Sequence, residues 1–381
     1  MRKLLLLIVI VLGLFLTKPF WEEAVPESVN LSFMDRISGS VVSAVNGSAI
    51  EDSWNSMLES VTSFIIDINE VVQNAPEIST ENETAAIAKP DLEVPTNEIF
   101  SVHNVQLGDS ESSVVEKAGQ ADRMSMNEFG VEWHTYHENY QNFFMASYNE
   151  NGEVNGLFTN QDLISSSLPL QMGSTREEVR AELGEPLTYL QKGMVRYQLQ
   201  TDGEYDMFAF NGAYITVFYD LHEEQTVTAI QIINDRLEDQ RETLYAEPSA
   251  ELEEGFKYQL FDLTNAARVV HGQSVLEWDE AISGTAKKHS TDMAENNFFS
   301  HDNLEGQSPF DRMDEDGIDY AIAGENLAYG QYSSVFAHEG LMNSLGHREN
   351  ILKSDYAYLG IGVDFNEDSQ PFFTELFFDT F

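Results

Sequence analysis

Apolar positions in the last third of the chain recur with a helical period. One helix face, at the spacing i, i+4, i+7 and i+11, is largely apolar or small and consists of Ile282, Ala286, His289 and Met293. This spacing predicts one packed face of a helix. The polar run at 296–300 should end that helix, because Asn and Ser side chains compete for backbone hydrogen bonds. His301 is therefore predicted to lie on a loop just beyond a helix end.

A second helical stripe lies nearer the N-terminus, within residues 22–98. Its apolar members are Trp54, Leu58, Val61, Ile65, Ile68 and Val72. The polar face carries acidic residues, whereas a helix bound to a membrane surface usually presents Lys or Arg. We interpret this region as a spacer of amphipathic helices that pack together or on another chain. A linker rich in Glu, Thr, Asn and Pro follows at 74–97.

The middle of the chain, residues 99–240, contains an internal repeat with an offset of 65 positions. Its two copies start at Leu107 and Met172. Within them, Ser110 and Thr175 suit helix N-caps. The copies continue to Gly119 and Gly184, which suit helix C-terminal ends. Alternating and aromatic-rich segments follow each helix and predict antiparallel strands. The region is therefore predicted to be an α+β domain made of two helix-plus-sheet modules.

Residues 1–21 have the organisation of an export signal. Arg2 and Lys3 precede an apolar run that extends from Leu4 to Leu16. No small-x-small cleavage pattern follows closely, and the chain has no cysteine that could take a lipid. We interpret the segment as an uncleaved signal anchor, with a cleaved signal peptide as the alternative. Both interpretations predict an exported protein, either at the extracellular face of the membrane or secreted.

The strongly acidic composition of the chain argues against some classes of binding partner. The 381 residues carry a formal net charge of −45, which argues against nucleic acid, because phosphate binding needs clustered Lys and Arg. A solvated acidic surface that favours solubility is the simpler interpretation of this charge. The absence of cysteine excludes disulfides, so stability outside the cell must come from packing. A hydrophobic content of 42% is sufficient for such cores.

Three polar residues stand out as candidates for chemistry in the C-terminal part. His301 follows the predicted helix end, Glu325 follows Gly324, which permits a tight turn, and His347 belongs to a helical segment beginning near Ser333. Two imidazoles and a carboxylate could converge on one cleft. Their separations of 24 and 22 positions match no local rule for a metal site.

Residues 250–381, reached through a charged segment at 235–249 that is predicted to be helical, resemble a known family. The motifs that carry the resemblance are NxxR at 265–268, HSxDMAxxNFFSH at 289–301, GENLAxG at 324–330 and NSxGHRENIL at 343–352. They are similar to those of the CAP superfamily of cysteine-rich secretory, antigen 5 and pathogenesis-related proteins, in its bacterial SCP-like form. The resemblance implies a three-layer α/β/α sandwich. Residues 99–240 in turn resemble the CAP-associated N-terminal domain of Gram-positive bacteria.

The family resemblance also implies a cleft lined by two His and two acidic groups. His301 and Glu325 match two of these positions. The second acidic position falls on Ser344, and the second His position of animal and plant members aligns with Phe372. We expect His347, one helical turn beyond Ser344, to replace that His in space. The predicted binding residues are therefore His301, Glu325, Ser344 and His347.

Two classes of function remain open. The first is a membrane-tethered binding or interaction module whose cleft holds a small molecule, lipid, peptide or cell-wall fragment. The alternative is a metal-dependent hydrolase or protease acting on cell-envelope substrates, with His301, Glu325 and His347 as Zn²⁺ ligands, since three protein ligands and an open position are typical of catalytic zinc. A buried hydrogen-bonded network that fixes loops would be compatible with the first class. No catalytic residue is identified, and fold analogy alone does not decide between these classes.

Overall fold

A computed structural model of the chain describes residues 87–199 and 201–380. The predicted export signal at 1–21 and the spacer helices lie outside the described residues, as does most of the linker. Within the described ranges, no helix is both long and apolar enough to cross a bilayer. The described residues form one compact unit.

The two repeat copies fold as predicted from their caps. Their helices are α1 (Glu111–Ala118) and α2 (Arg176–Leu183). The side chain of Ser110 accepts a hydrogen bond from the backbone of α1, and that of Thr175 does the same for α2. Gly119 and Gly184 follow the helices at φ of 84° and 85°, a region that glycine adopts readily.

The repeats share one antiparallel sheet. Its seven strands run in the order β2-β3-β4-β5-β11-β10-β9, so that β5 of the first copy pairs with β11 of the second. The strands of this N-terminal part are β1 (Phe100–Val102), β2 (Arg123–Met126), β3 (Glu132–Glu138), β4 (Gln141–Tyr148), β5 (Val154–Thr159), β6 (Ile164–Ser166), β7 (Tyr189–Lys192), β8 (Val195–Gln198), β9 (Tyr205–Phe210), β10 (Ala213–Asp220) and β11 (Thr226–Asn234). The pairs β1-β6 and β7-β8 form two small separate sheets. A helix was predicted over 235–249, but the observed helix, α3, covers only Asp235–Gln240.

The C-terminal part is the predicted three-layer sandwich. Its elements are α4 (Ala250–Val270), β12 (Glu277–Trp278), α5 (Glu280–Asn296), α6 (Pro309–Glu315), β13 (Ile322–Tyr329), α7 (Ser334–Asn343), α8 (Leu345–Ile351), β14 (Tyr358–Phe365) and β15 (Pro371–Asp379). The sheet order is β12-β14-β15-β13. One face packs against α4, α7 and α8, and the other face packs against α5 and α6. Each face thus has its own apolar core, which is the arrangement of an α/β/α protein.

The NxxR motif of α4 holds the loop that follows this helix and the C-terminal end of α8 in place. The Asn265 amide exchanges two hydrogen bonds with the backbone of Leu276, at 3.1 and 2.7 Å. The fully buried guanidinium of Arg268 donates to the carbonyls of Ser274, Ile351 and Lys353. Arg268 thereby satisfies carbonyls at the C-terminal end of α8, which lack partners within the helix.

An Arg268→Lys variant should lose about 2 kcal/mol of unfolding free energy, because an ammonium cannot reach three diverging carbonyls and leaves buried acceptors unpaired. Thermal or denaturant unfolding measures the loss. Arg196→Lys provides a matched control on an exposed hairpin strand and should stay within about 0.5 kcal/mol. An Arg268→Lys melting curve that overlays the parent would refute this role.

The N-terminal and C-terminal parts meet along α4. The buried Asp262 accepts hydrogen bonds from Arg123 Nε at 2.9 Å and from the Tyr140 hydroxyl at 3.2 Å. Gln259 Nε2 donates to the Met126 carbonyl at 2.8 Å. Each of these bonds crosses from the first repeat to the third layer of the sandwich, so the scaffold behind the C-terminal sheet includes the N-terminal part.

Several buried carboxyl groups hold protons more tightly than free carboxyls do. Burial raises the pKa of Glu128 and of Glu375 to about 7, and that of Glu339 to about 8. The unfolded chain would release these protons near pH 4.5. Between that value and pH 7 to 8 the folded state binds more protons than the unfolded state, so stability falls as pH rises.

We expect the melting temperature to fall as pH rises from about 6.5 to about 8, because the folded protein still holds these protons while the unfolded chain has released them, and to level off once the folded-state carboxyls ionise. Buried neutral histidines such as His338, whose pKa burial lowers to about 3, act in the opposite sense only at lower pH. Differential scanning calorimetry across this window tests the sign. Glu375→Gln should flatten the slope, whereas Glu177→Gln, an exposed change on α2, should not. A melting temperature that rises with pH would contradict the prediction.

Candidate functional site

The end of α5 and His289 on that helix hold the loop that carries His301. Helix α5 ends where Asn297 adopts a left-handed conformation at φ 56°, as the polar run predicted. His289, buried on the packed face of α5, bonds through Nε2 to the Ser300 carbonyl at 2.9 Å. These two features set the position of His301, whose side chain is 54% exposed.

Glu325 is the centre of the site. It lies on the edge strand β13 with its side chain only 2% exposed. Its Oε1 is 2.9 Å from His301 Nδ1, and its Oε2 accepts from Arg312 Nη2 at 2.5 Å. Arg312 comes from α6 and also donates to the His301 carbonyl at 2.8 Å. Each carboxylate oxygen of Glu325 is therefore bound, one by the His301 imidazole and the other by the Arg312 guanidinium.

The turn predicted at Gly324 is wrong. Gly324 lies inside β13, paired with Phe377 of β15. A side chain there would bring its Cβ within 2.3 Å of the Tyr356 hydroxyl. The glycine is needed for close packing beside Glu325, which is the other common use of a glycine in a strand.

Ser344 and His347 form the second half of the site. Ser344 separates α7 from α8, and its Oγ is 2.7 Å from Nδ1 of His347, one turn further on. The structure thus pairs the two residues as their i, i+3 spacing suggested. None of the described residues bonds to Nε2 of either His301 or His347, so each imidazole keeps one nitrogen for a ligand.

A buried amide network supports both pairs from inside the sandwich. Asn326, next to Glu325, donates to the His347 carbonyl at 3.2 Å and to Glu375 Oε2 at 3.0 Å. Asn350 donates to the Asn326 side chain at 3.0 Å. Because these bonds connect β13, α8 and β15, they fix the two halves of the site relative to each other.

The two imidazoles differ in charge. The hydrogen bond to Glu325 raises the pKa of His301 above its ordinary value. Burial lowers the pKa of His347, and the nearby charge of His301 lowers it further. The charge of His301 thus acts on His347, which places the two rings within electrostatic reach. Near neutral pH the site therefore holds one imidazole that binds a proton readily and one that stays neutral.

Proton NMR of the imidazole C2–H signals should show His301 titrating above pH 6.5 and His347 below it. Assignment by His301→Ala and His347→Ala would identify the two signals. A raised folded-state pKa means that His301 contributes stability at low pH and loses that contribution as pH rises through the folded-state value. Ser344→Ala, as a control, should leave the His301 titration in place. The reverse order of titration would contradict the geometry.

The donor set does not fit zinc. Among residues 87–199 and 201–380, no group of three or more His, Asp or Glu side chains is arranged to hold a metal ion. The Arg312 guanidinium occupies one oxygen of Glu325, and a fixed positive charge at that point opposes a cation. We therefore treat His301, Glu325 and His347 as binding residues rather than zinc ligands.

An aromatic surface adjoins the site. Phe299, two positions before His301 and 49% exposed, packs against Tyr329 with ring centroids 5.8 Å apart. Tyr329 stacks on Phe372 at 4.2 Å. Phe372 is buried and serves as the base of this stack. Leu345, also exposed, lies at the start of α8.

Sequence reasoning missed Arg312, Asn326, Asn350 and Glu375. One signal pointed to Arg312: the chain has 20 basic residues against 65 acidic ones, so an arginine next to the apolar Met313 was a candidate for a buried partner of an acid. Asn326 and Asn350 lie within the motifs GENLAxG and NSxGHRENIL, which marked their segments but not their roles, and Glu375 lies on a strand without polar and apolar alternation.

Two family models match the chain. The CAP-associated N-terminal model covers residues 107–244, and the model of the cysteine-rich secretory protein family covers residues 261–377. A membrane protein of Bacillus subtilis (strain 168) described as uncharacterized, YlbC, is 29% identical over 323 residues, which cover 80% of this chain and 91% of that protein. YkwD, from the same organism and also described as uncharacterized, is 40% identical over 107 residues, covering 28% of this chain and 42% of YkwD.

Two solved structures share the fold. One is an extracellular protein containing a SCP domain from Bacillus anthracis strain Ames, with a TM-score of 0.62 and 24% identity over 77% of this chain and all of that chain. The other is a cysteine-rich secretory protein from Staphylococcus aureus Mu50, with a TM-score of 0.56 and 18% identity over 72% of this chain and 94% of that chain. At 24% and 18% identity, the likeness to these two structures shows a shared fold and nothing more.

Proposed function

We propose that this chain, whose residues 261–377 match the model of the cysteine-rich secretory protein (CAP) family, is an exported, membrane-held binding module. Its ligand would contact the free nitrogens of His301 and His347. The membrane attachment would be the N-terminal segment, in keeping with the membrane protein that is its relative over most of its length. The Bacillus anthracis structure, described as extracellular, supports the same side of the membrane.

One observation carries this proposal. Glu325, the only carboxylate that bonds directly to either imidazole among the described residues, is held by both His301 and Arg312. A carboxylate bound on both oxygens is a poor general base and a poor metal ligand, but it fixes His301 well. Glu325 is thus preorganised to hold His301 in place for a ligand rather than to exchange protons with one.

The exposed aromatic surface supports a ligand with a flat or apolar part. Phe299, two positions before His301, packs against Tyr329, and both rings are partly exposed. Such rings combine large apolar contact with low entropic cost. A polar group of the ligand would bind the imidazoles while its apolar part rests on the rings. Small molecules, lipids, peptides and cell-wall fragments all include candidates of this kind.

The experiment is ligand identification on the full chain purified in detergent. Mass spectrometry of co-purified small molecules and metal analysis would compare the parent with the variant that combines His301→Ala and His347→Ala. We expect a compound enriched with the parent and lost from the variant. His134→Ala, on a strand of the N-terminal part, is the matched control and should retain the compound.

The alternative, a metal-dependent hydrolase or protease acting on the cell envelope, makes the opposite prediction. It requires stoichiometric zinc in the parent and turnover of an envelope substrate that chelator and His301→Ala both abolish. That result, or identical compounds with parent and variant, would overturn the binding module.

A further inference from the structure

The turn between β10 and β11, residues 221–225, contacts the corner where α7 meets α8. Asn343 is the last residue of α7. Its side-chain oxygen accepts from the Leu221 backbone N–H at 2.9 Å, and its Nδ2 donates to the Tyr219 carbonyl at 3.0 Å. The Asn343 carbonyl accepts from Nε2 of His222 at 3.0 Å. The second copy of the repeat thus holds one residue of the C-terminal part by three hydrogen bonds.

An ion pair holds the same corner from the side of α8. Arg348 Nη2 lies 2.8 Å from Asp220 Oδ2, and the two side chains are only 13% and 7% exposed. Arg348 Nη1 also donates to the Met342 carbonyl at 3.3 Å, which joins α8 to the end of α7. Because a buried ion pair that loses one partner leaves an uncompensated charge, the position of α8 depends on Asp220.

These contacts flank the second half of the binding site. Asn343 directly precedes Ser344, and Arg348 directly follows His347. Ser344 Oγ and His347 Nδ1 are 2.7 Å apart, so a small rotation of α8 against α7 would break their hydrogen bond. Asn326 holds the His347 carbonyl from the sheet, but it forms no bond with Ser344 among the described residues. The second copy of the repeat therefore contributes to the geometry of this pair.

The corresponding turn of the first copy, residues 149–153, provides an internal comparison. There the Gly152 carbonyl accepts from the backbone N–H of Glu111, the first residue of α1, at 2.8 Å. In the second copy the Gln225 carbonyl accepts in the same way from Arg176, the first residue of α2, at 3.1 Å. Within the described ranges, the turn of the first copy forms no hydrogen bond with the C-terminal part. The contact with the α7–α8 corner is thus an addition to what the repeat itself requires.

The turn of the second copy has a defined shape. The Asp220 carbonyl accepts from the backbone N–H groups of Glu223 and Gln225, at 3.2 and 3.0 Å. Its Oδ1 accepts from the backbone N–H of His222 at 2.8 Å. Glu224 and Gln225 adopt φ of 55° and 56°, a region that residues other than glycine seldom adopt. A turn closed by its own hydrogen bonds presents its donors in a fixed direction.

We propose that this turn positions part of the binding site, because it fixes the orientation of His347 and the pairing of this imidazole with Ser344. The inference rests on the proposed function, since it assigns the N-terminal part a role in the same site. Asn343 and Asp220 are then positioning residues, which act on a ligand through His347 and do not touch it. Because coupling between two contacts is reciprocal, a ligand bound at His347 strengthens the contact between the turn and the corner.

A contact that only joins the two parts of the molecule would behave differently. The interface along α4 is such a contact, because none of the bonds of Gln259 and Asp262 reaches Ser344 or His347. Loss of either side chain should lower stability without changing the His347 imidazole. The two interfaces therefore offer matched variants, since each contains one bridging amide and one buried aspartate.

Proton NMR of the full chain in detergent tests the proposal through the His347 C2–H signal. Asn343→Ala removes the amide without a change of charge and should admit water to the imidazole. The pKa of His347, which burial lowers, should therefore rise towards its ordinary value. Gln259→Ala should leave His347 titrating as in the parent. A titration like that of the parent in Asn343→Ala, or an equal rise in both variants, would overturn the proposal.

The pairing of His347 with Ser344 gives a second readout. In the parent background, Ser344→Ala removes the hydrogen bond to Nδ1 and should move the His347 signal. In the Asn343→Ala background the same substitution should move that signal less, because the two groups are already displaced. An equal change in both backgrounds would show that Asn343 does not position the pair.

Asp220→Asn keeps the proposal testable if Asn343→Ala does not fold. It leaves Arg348 without its anion, so the backbone amides of α8 should exchange hydrogen several-fold faster, as measured by mass spectrometry. Asp262→Asn is the same substitution at the interface along α4 and should leave α8 protected as in the parent. Exchange in α8 that Asp220→Asn does not change would overturn the positioning role. These measurements need no ligand, so this role can fail while the binding module stands, and the reverse.

Discussion

A Gly362→Ala variant should lose about 3 kcal/mol or more of unfolding free energy. Gly362 lies on β14 directly beneath α5, and an added Cβ would come within 2.2 Å of the backbone of Ala286 and Lys287. Gly360, on the same face of the strand, would place a Cβ 2.3 Å from the backbone nitrogen of Ser283. Neither contact can be relieved by a side-chain rotation, because the clashing atoms belong to the helix backbone.

The close approach of α5 to β14 allows hydrogen bonds between the helix and the strand. Ser283 and Ser290 of this helix donate hydrogen bonds to the carbonyls of Ile361 and Gly362, at 2.8 and 3.0 Å. An alanine on β14 would push the helix away and weaken these bonds as well as the apolar packing. Since α5 carries His289 and ends just before His301, the same displacement should disturb the site.

Differential scanning calorimetry measures the effect, which corresponds to a fall of roughly 6–12 °C in melting temperature. Gly284→Ala is the matched control: it is the same substitution on α5, at an exposed position with nothing within 4 Å of the added Cβ. It should raise stability by about 0.5–1 kcal/mol, because alanine favours a helix over glycine. If Gly362→Ala melts with or above the parent, the close contact between α5 and β14 is wrong.

Features governed by local sequence could be predicted. The end of α5, the helix caps at Ser110 and Thr175, and the placement of His347 in a short helix all depend on neighbours within a few positions. The length of the helix over 235–249 could not, because α3 stops after six residues and the irregular segment that follows is held by packing of Leu244 and Tyr245 against the core. Propensity without a buried face is weak evidence for a helix.

Features that depend on packing between distant segments could not be predicted. The partner of Glu325 is set by how α6 lies against β13, and nothing in the local pattern around Arg312 specifies that orientation. Glu375 is hidden for a different reason. Eight of the nine residues of β15 are buried, so this central strand has no polar and apolar alternation that could indicate which face a glutamate occupies.

The residue with the largest expected effect at the site is Glu325. A Glu325→Gln variant keeps the shape of the side chain but removes the negative charge opposite Arg312, whose own side chain is 8% exposed. A buried cation left without its anion costs about 3–5 kcal/mol. We expect a loss near 3 kcal/mol, because the remaining amide oxygen still accepts one hydrogen bond.

The loss should depend on Arg312. A variant that combines Glu325→Gln with Arg312→Gln removes both charges, so its loss of stability should be smaller than the sum of the two single losses. Glu277→Gln, an exposed glutamate on β12 of the same sheet, controls for the substitution itself and should stay within about 0.5 kcal/mol. Additive losses in the double variant would show that the two residues are not coupled.

A second measurement separates the site from general stability. The Glu325→Gln variant replaces the charged acceptor that raises the His301 pKa with a neutral amide, while the positive charge of Arg312 remains. The His301 pKa should therefore fall below its value in the parent, and its proton would be released at a lower pH. A neutral His301 no longer lowers the pKa of His347, so the His347 pKa should rise. The two titrations should therefore move towards each other. An unchanged His301 titration would mean that Glu325 does not control the charge of this site.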